Sequence, residues 1–264
     1  MNIFLRELRA NFKSLMIWSG IAILFSAVGF SKFSAFYENP ELLAILDAVP
    51  AAVLDALDMH AFNLTTVSGF YGMMTGYYSL LLSIAAVMWG SDIISKEERQ
   101  KIVEFSLTLP VTRSRLVTAK AAAVLVNCVL LLLVTWGAVA LSAGSYNPDA
   151  DFFRLLALSM PAFFLIQLVF LCSGIFLGCT MRQHKKSSAT AVSILLVSYF
   201  LSMVMGLSEK LLFLRYLTPF KYFDAGMMLR DSQLEPRFVL LSVAIAGFAF
   251  FGAHRTYAKR DMMI

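Results

Sequence analysis

Six stretches without a single charged side chain divide the chain: 18 residues from Ser14 to Ser31, 33 from Met59 to Ser91, 28 from Ala121 to Pro148, 27 from Leu155 to Met181, 22 from Ser187 to Ser208, and 17 from Phe238 to His254. A helix rises 1.5 Å per residue and needs roughly 20 apolar residues to cross hydrocarbon, while satisfying its own backbone polar groups. Each run therefore predicts one membrane-spanning helix, over approximately 15–31, 68–93, 119–143, 155–180, 188–207 and 238–254, within a single all-α, polytopic domain covering 1–264. A soluble fold with buried helices is excluded by the length of these runs. Ahead of the first run, Phe4, Leu5, Leu8, Phe12, Leu15 and Met16 alternate with Arg6, Glu7, Arg9, Asn11 and Lys13. That spacing predicts an amphipathic helix lying in the membrane interface, and it equally suits a cytoplasmic extension of the first span.

The connecting segments carry their own signals. Asn39-Pro40-Glu41 forms a helix start, Pro50 interrupts it, and Ala51 to Leu57 suits a second short external helix. Between the second and third spans, Asp92 closes one helix and Ser95, with Glu98 three residues later, reads as the capping box of a separate charged helix. Leu107-Thr-Leu-Pro110 then interrupts it. The turn at 142–154 is short, 182–188 is a basic hairpin, and 207–237 is half-apolar, predicting short helices broken at Pro219.

Composition agrees with the pattern: 59% of residues are hydrophobic and 15% charged, against about a quarter charged in soluble domains. With the N-terminus inside, 15 of the 22 Lys and Arg fall in cytoplasmic segments, which places both termini in the cytoplasm of a multi-pass cell-membrane protein. The net charge of +5 reflects this bias, and no basic domain points to nucleic acid. Cys128, Cys172 and Cys179 fall inside spans, and His60, His184 and His254 lie in different segments, so neither type forms a metal-ligand pattern. No phosphate-binding loop is present, and the spans lack the intramembrane ionisable residues of a membrane enzyme. The chain is expected to bind no cofactor. Asn127 and Gln167 are the clearest polar interruptions, suited to interhelical hydrogen bonding or to a substrate pathway. Gly72 with Gly76 and Gly174 with Gly178 form small-xxx-small patterns that predict close helix packing, within the bundle or across a dimer.

The segment Glu97-Glu-Arg-Gln-Lys-Ile-Val-Glu-Phe-Ser-Leu-Thr-Leu-Pro-Val-Thr-Arg-Ser-Arg-Leu-Val-Thr-Ala-Lys120 resembles the permease subunits of ABC-2 type transporters. It has their acidic pair, their Leu-rich stretch ending in Leu-Pro, their Arg, and the Lys opening the third span, although Lys101-Ile-Val stands where a Gly-Thr pair is frequent. Leu46 to Leu57, Leu217 to Tyr222 and Tyr257 to Asp261 extend the resemblance over nearly the whole chain. The resemblance implies a bacterial or archaeal exporter whose ATPase, with its ATP and Mg, is a separate polypeptide. Phe4 to Lys13 would be a connecting helix, and Ser95 to Val103 a coupling helix docking into the ATPase. Glu97, Glu98 and Arg99 would make its ionic contacts, and Ile102 and Phe105 its apolar ones. Arg182, Lys185 and Lys186 would form a smaller second contact. Two permeases, of the same or a related chain, and two ATPases would form the working unit. The cargo would be amphipathic or hydrophobic: a peptide, lipid or drug. An ion-coupled secondary transporter and a non-transporting sensor subunit of an ABC complex are the alternatives.

Overall fold

The computed structural model describes residues 3–37, 39, 50, 62–99, 112–181, 183–205 and 209–259. Among them there is no strand, and seven α-helices follow in order: α1 (Ile3–Phe33), α2 (Val67–Arg99), α3 (Arg113–Ala143), α4 (Ala150–Thr180), α5 (His184–Met205), α6 (Ala225–Asp231) and α7 (Pro236–Lys259). All but α6 are long and apolar enough to span a bilayer. The chain is thus a multi-pass membrane protein, and six spans bring both termini to the same end of the bundle. That end is called the terminal end below, and the other the loop end.

The helix starts follow local chemistry. The Thr112 hydroxyl accepts the Arg115 N–H at 3.3 Å, Asp149 accepts that of Phe152 at 2.8 Å, and Asp224 accepts that of Met227 at 3.0 Å, each filling an orphan donor of a first turn. Between α3 and α4 the chain reverses through a 3₁₀ turn, Gly144–Tyr146, and then Asn147, whose φ of 46° lies in the left-handed region that Asn tolerates.

Two expectations are corrected here. The amphipathic start is not a separate interfacial helix: α1 runs without interruption from Ile3 to Phe33, so residues 3–16 are the first turns of the spanning helix itself. No Gly or Pro precedes Gly20, and the backbone has no cause to bend. Nor does Ser95 cap a new helix. α2 continues past Asp92 and Ser95 to Arg99, because that stretch also lacks a breaker. The rest of the expected coupling helix, with Ile102 and Phe105, lies outside the described residues, as do Arg182 and the expected helix pair over 40–57.

Burial separates the spans into centre and periphery. In their most apolar windows α2 and α4 are 67% and 61% buried, against 22% for both α1 and α7. α2 is the axis: it packs along α4 and also meets α3 and α5, while α1 leans on α3 and α7 on α4. The α2–α4 contact is close because glycine permits it. A Cβ built on Gly174 would stand 2.7 Å from the carbonyl oxygen of Val87, and one on Gly178 2.8 Å from that of Ser91, while one on Gly90 would run into the carbonyl of Leu171. In lipid, where apolar side chains gain nothing by leaving solvent, such backbone approach supplies the van der Waals contact that holds helices together.

The loop end is built from rings and one arginine. Phe33 stacks against Phe70 with centroids 4.7 Å apart and meets Tyr146 edge-on at 5.1 Å, and the Tyr146 hydroxyl donates to the Phe30 carbonyl at 2.8 Å. The segment after α5 forms 3₁₀ turns at Glu209–Leu217 and Pro219–Lys221 with the break at Pro219, then α6. Arg215 organises this segment, pairing with Glu235 at 2.8 Å, donating to the Lys221 carbonyl at 3.0 Å, and stacking on Phe238. The Thr218 hydroxyl fastens it to the Ser198 carbonyl of α5 at 3.0 Å. Burial pushes the Tyr222 phenol up to about 12, so it stays a neutral donor to the Tyr216 carbonyl, 2.7 Å away.

Candidate functional site

At the terminal end, four other helices fasten to the bundle within a turn or two of the charged stretch 95–99. Ser14 of α1 accepts the Trp89 indole N–H at 2.8 Å. From α5, the Ser188 hydroxyl bonds to Ser91 at 2.8 Å and donates to Asp92 at 3.2 Å. From α3, Lys120 donates to the Ile93 carbonyl at 2.9 Å and pairs with Glu7 of α1 at 3.7 Å. α7 joins through His254, whose Nδ1 lies 3.0 Å from the Ser114 hydroxyl of α3. The Lys120 side chain is fully buried and that of Glu7 is 9% exposed. A buried ammonium persists only where carboxylate and carbonyl oxygens replace its water, and a helical carbonyl has a second lone pair to offer. The stretch Trp89–Ile93 is therefore a hub: α1, α3 and α5 are tied to it directly, one turn from Glu97, Glu98 and Arg99. These three lie on the α2 backbone. On α5, Lys185 belongs to the first turn and Lys186 is exposed.

At mid-depth the structure brings the two polar interruptions into the interior of the bundle. Asn127 is 0% and Gln167 1% exposed, and among the described residues neither amide has a hydrogen-bond partner, nor does the buried Ser83 hydroxyl of α2. Ser83 and Gln167 lie one helical turn towards the loop end from Val87 and Leu171, whose carbonyls face Gly174 and Gly90 across the close α2–α4 contact. Both side chains are thus enclosed by the bundle, Asn127 on α3 and Gln167 on α4. An unpaired buried polar group costs about 1–3 kcal/mol. Asn127→Leu and Gln167→Leu, close in volume, are accordingly expected to raise the thermal unfolding midpoint of the detergent-solubilised protein. A fall in the midpoint would show that the amides are paired in the membrane.

Toward the loop end a cavity of about 70 Å³ lies between α2, α4, α5 and the segment after α5, with Thr75, Gly76, Ser79 and Ser202 among its walls and Lys221 and Asp224 at its rim. The hydroxyls of Thr75, Ser79 and Ser202 bond to carbonyls of their own helices, at 2.6, 2.8 and 2.6 Å. Drug-sized sites occupy about 300–1,000 Å³, so this cavity is too small as it stands for such a ligand. Gly72 and Gly76 belong to it and not to a helix contact in the bundle: a Cβ at Gly72 would strike the Phe62 ring, and Gly76 has open space. Among the described residues of this chain, it is the second glycine pair, Gly174 and Gly178, that packs against another helix.

The outward face of α5 is also unusual. Lys186, Ala189, Thr190 and Ser193 border a shallow groove on a helix that is otherwise apolar where it faces outward, at Val197 and Phe200. Sequence reasoning missed both this stripe and the pairing of Lys120 with Glu7. A lysine at the mouth of an apolar run was visible, but its partner lies 113 residues away on another helix.

The family model described as ABC-2 family transporter protein matches residues 1–258. No curated protein matches the sequence.

Proposed function

The chain belongs to the ABC-2 transporter family, and on that premise we propose that it is the permease subunit of an ATP-driven exporter in the cell membrane, working beside a second permease and two copies of a separate ATPase. The membrane component of an ABC transporter must receive mechanical work from its ATPase and pass it to the spans. The observation that carries the reading is the hub at Trp89–Ile93: the charged continuation of α2 reaches Arg99, and α1, α3 and α5 are tied to α2 directly beneath it. A load applied at Glu97, Glu98 and Arg99 would be shared by four helices at once. The excess of Lys and Arg in the segments of this end supports a cytoplasmic location for it, where an ATPase would dock. Ile102, Phe105, Arg182, Lys185 and Lys186 would complete the docking surface.

The pathway would run along α5 and the small cavity beside it, with the 207–237 segment over its outer mouth. The polar stripe of α5 supports this, since serine, threonine and lysine on a lipid-facing surface gain nothing. The aromatic walls Phe163, Tyr199 and Phe220 suit an amphipathic or hydrophobic cargo.

Glu97→Ala/Glu98→Ala is expected to abolish co-purification of a co-expressed partner ATPase, while the variant itself still purifies as a folded protein. A wild-type chain that purifies alone, and transports without ATP, would replace this reading with that of an ion-coupled carrier. A complex that hydrolyses ATP without moving any substrate would make the chain a sensor subunit.

A further inference from the structure

A second opening lies away from both the hub and the cavity beside α5. α1 packs mainly along α3, and between α1 and α2 near the loop end lies a groove of about 350 Å³. Phe25, Val28 and Gly29 of α1 form one wall and Phe70, Met73 and Met74 of α2 the other. The lining is apolar apart from one side chain at its rim, Lys32 in the last turn of α1. We propose that this groove is a binding site for an anionic phospholipid, with an acyl chain between α1 and α2 and the phosphate on Lys32.

Three observations single out that occupant. The groove is on the outside of a spanning pair, where hydrocarbon chains are the molecules that can enter, and methionine walls adapt to a flexible chain. Its volume is about five times that of the cavity beside α5, within the range of small-molecule sites. Finally, the exposed Lys32 ammonium at the groove's rim reaches no carboxylate among the described residues. A lysine ending a spanning helix extends to the headgroup level, which is the depth of a phosphate whose chain occupies the groove below.

A chain already in hydrocarbon gains no hydrophobic energy by entering a groove, so selectivity must come from fit and from the headgroup charge. One lysine at a lipid surface gives a preference on the order of fivefold for an anionic headgroup. The test uses the full chain in detergent, titrated with phosphatidylglycerol, phosphatidylcholine or soluble glycerol phosphate and followed by native mass spectrometry and thermal midpoint. The wild type is expected to retain phosphatidylglycerol about fivefold better than phosphatidylcholine and to ignore glycerol phosphate. Lys32→Gln should bind the two lipids equally. Gly29→Leu should lose both, since the new side chain fills the groove; its Cβ meets only the terminal methyl of Met74, at 2.8 Å, which can step aside. Should that variant not purify folded, Val28→Trp adds bulk from the same wall. Undiminished lipid retention in the filled-groove variant, an unchanged preference in Lys32→Gln, or full competition by glycerol phosphate would each overturn the assignment.

Discussion

Lys120→Met is expected to be among the most damaging single substitutions in the chain, because it leaves Glu7 inside the bundle without the cation buried beside it. Stranding one member of a buried pair costs about 3–5 kcal/mol, and the side chains of Lys120 and Glu7 are 0% and 9% exposed. The loss is moderated by Arg6, which approaches Glu7 at 3.7 Å from a more exposed position. Glu7→Gln should be milder, since Lys120 keeps the Ile93 carbonyl at 2.9 Å. The double replacement Glu7→Leu/Lys120→Met removes both charges and should recover most of the lost stability. A double-mutant cycle on thermal midpoints measures this directly. If the double variant is as unstable as Lys120→Met alone, the lysine matters for its backbone anchor and not for the ion pair.

The second large effect contrasts two glycine pairs with the same spacing. Gly174→Leu is expected to prevent assembly of the bundle, because a Cβ there lies 2.7 Å from the Val87 carbonyl oxygen and 3.0 Å from the Ser91 nitrogen. Overpacking costs about 1–3 kcal/mol when side chains can shift, and more when the obstacle is backbone, as here. Gly76→Ala should do the opposite. Nothing lies within 4 Å of its Cβ position, and replacing a helical glycine by alanine in open space stabilises by about 0.5–1 kcal/mol. Yield and monodispersity of the two purified variants decide the matter: equal losses would mean that Gly76 also packs against a helix in the assembled protein.

The contrast shows where sequence reasoning stops. Charge-free runs of 17 to 33 residues are an unambiguous signal, because the thickness of hydrocarbon sets their length, and each of the six coincides over most of its length with one observed helix. Pro219 marked the break it makes, and the short turn read over 142–154 holds the reversal at Gly144–Asn147. Helix ends were harder. At Ser95 a sound capping pattern was overridden because the preceding turns of α2 already supplied the hydrogen bonds a cap would replace. At residues 3–16 an amphipathic pattern could not say whether the helix bends, since interfacial and spanning segments share the same periodicity. The site was less legible still. Gly72-x-x-x-Gly76 and Gly174-x-x-x-Gly178 are equivalent as patterns, and only three-dimensional placement shows one against a cavity and the other against α2. Asn127 and Gln167 stood out as polar, but their full burial is set by tertiary packing. Lys120 and Glu7 are paired by tertiary structure alone.

The unbroken course of α2 has a mechanical consequence. Its 33 residues make a rod about 50 Å long, with Arg99 at one tip and the cavity-lining Gly72 and Gly76 near the other. A stiff rod pivoting where it is gripped converts rotation into displacement: a tilt of about 5° around its midpoint swings each tip by about 2 Å, in opposite directions. The close contact at Gly90, Gly174 and Gly178 lies about 10 Å from that midpoint on the Arg99 side, so a fulcrum there gives the Gly72 end the longer arm. A jointed helix, as the Ser95 cap would have made, would have absorbed that motion at the joint, whereas a continuous one delivers it across the full thickness of the bilayer.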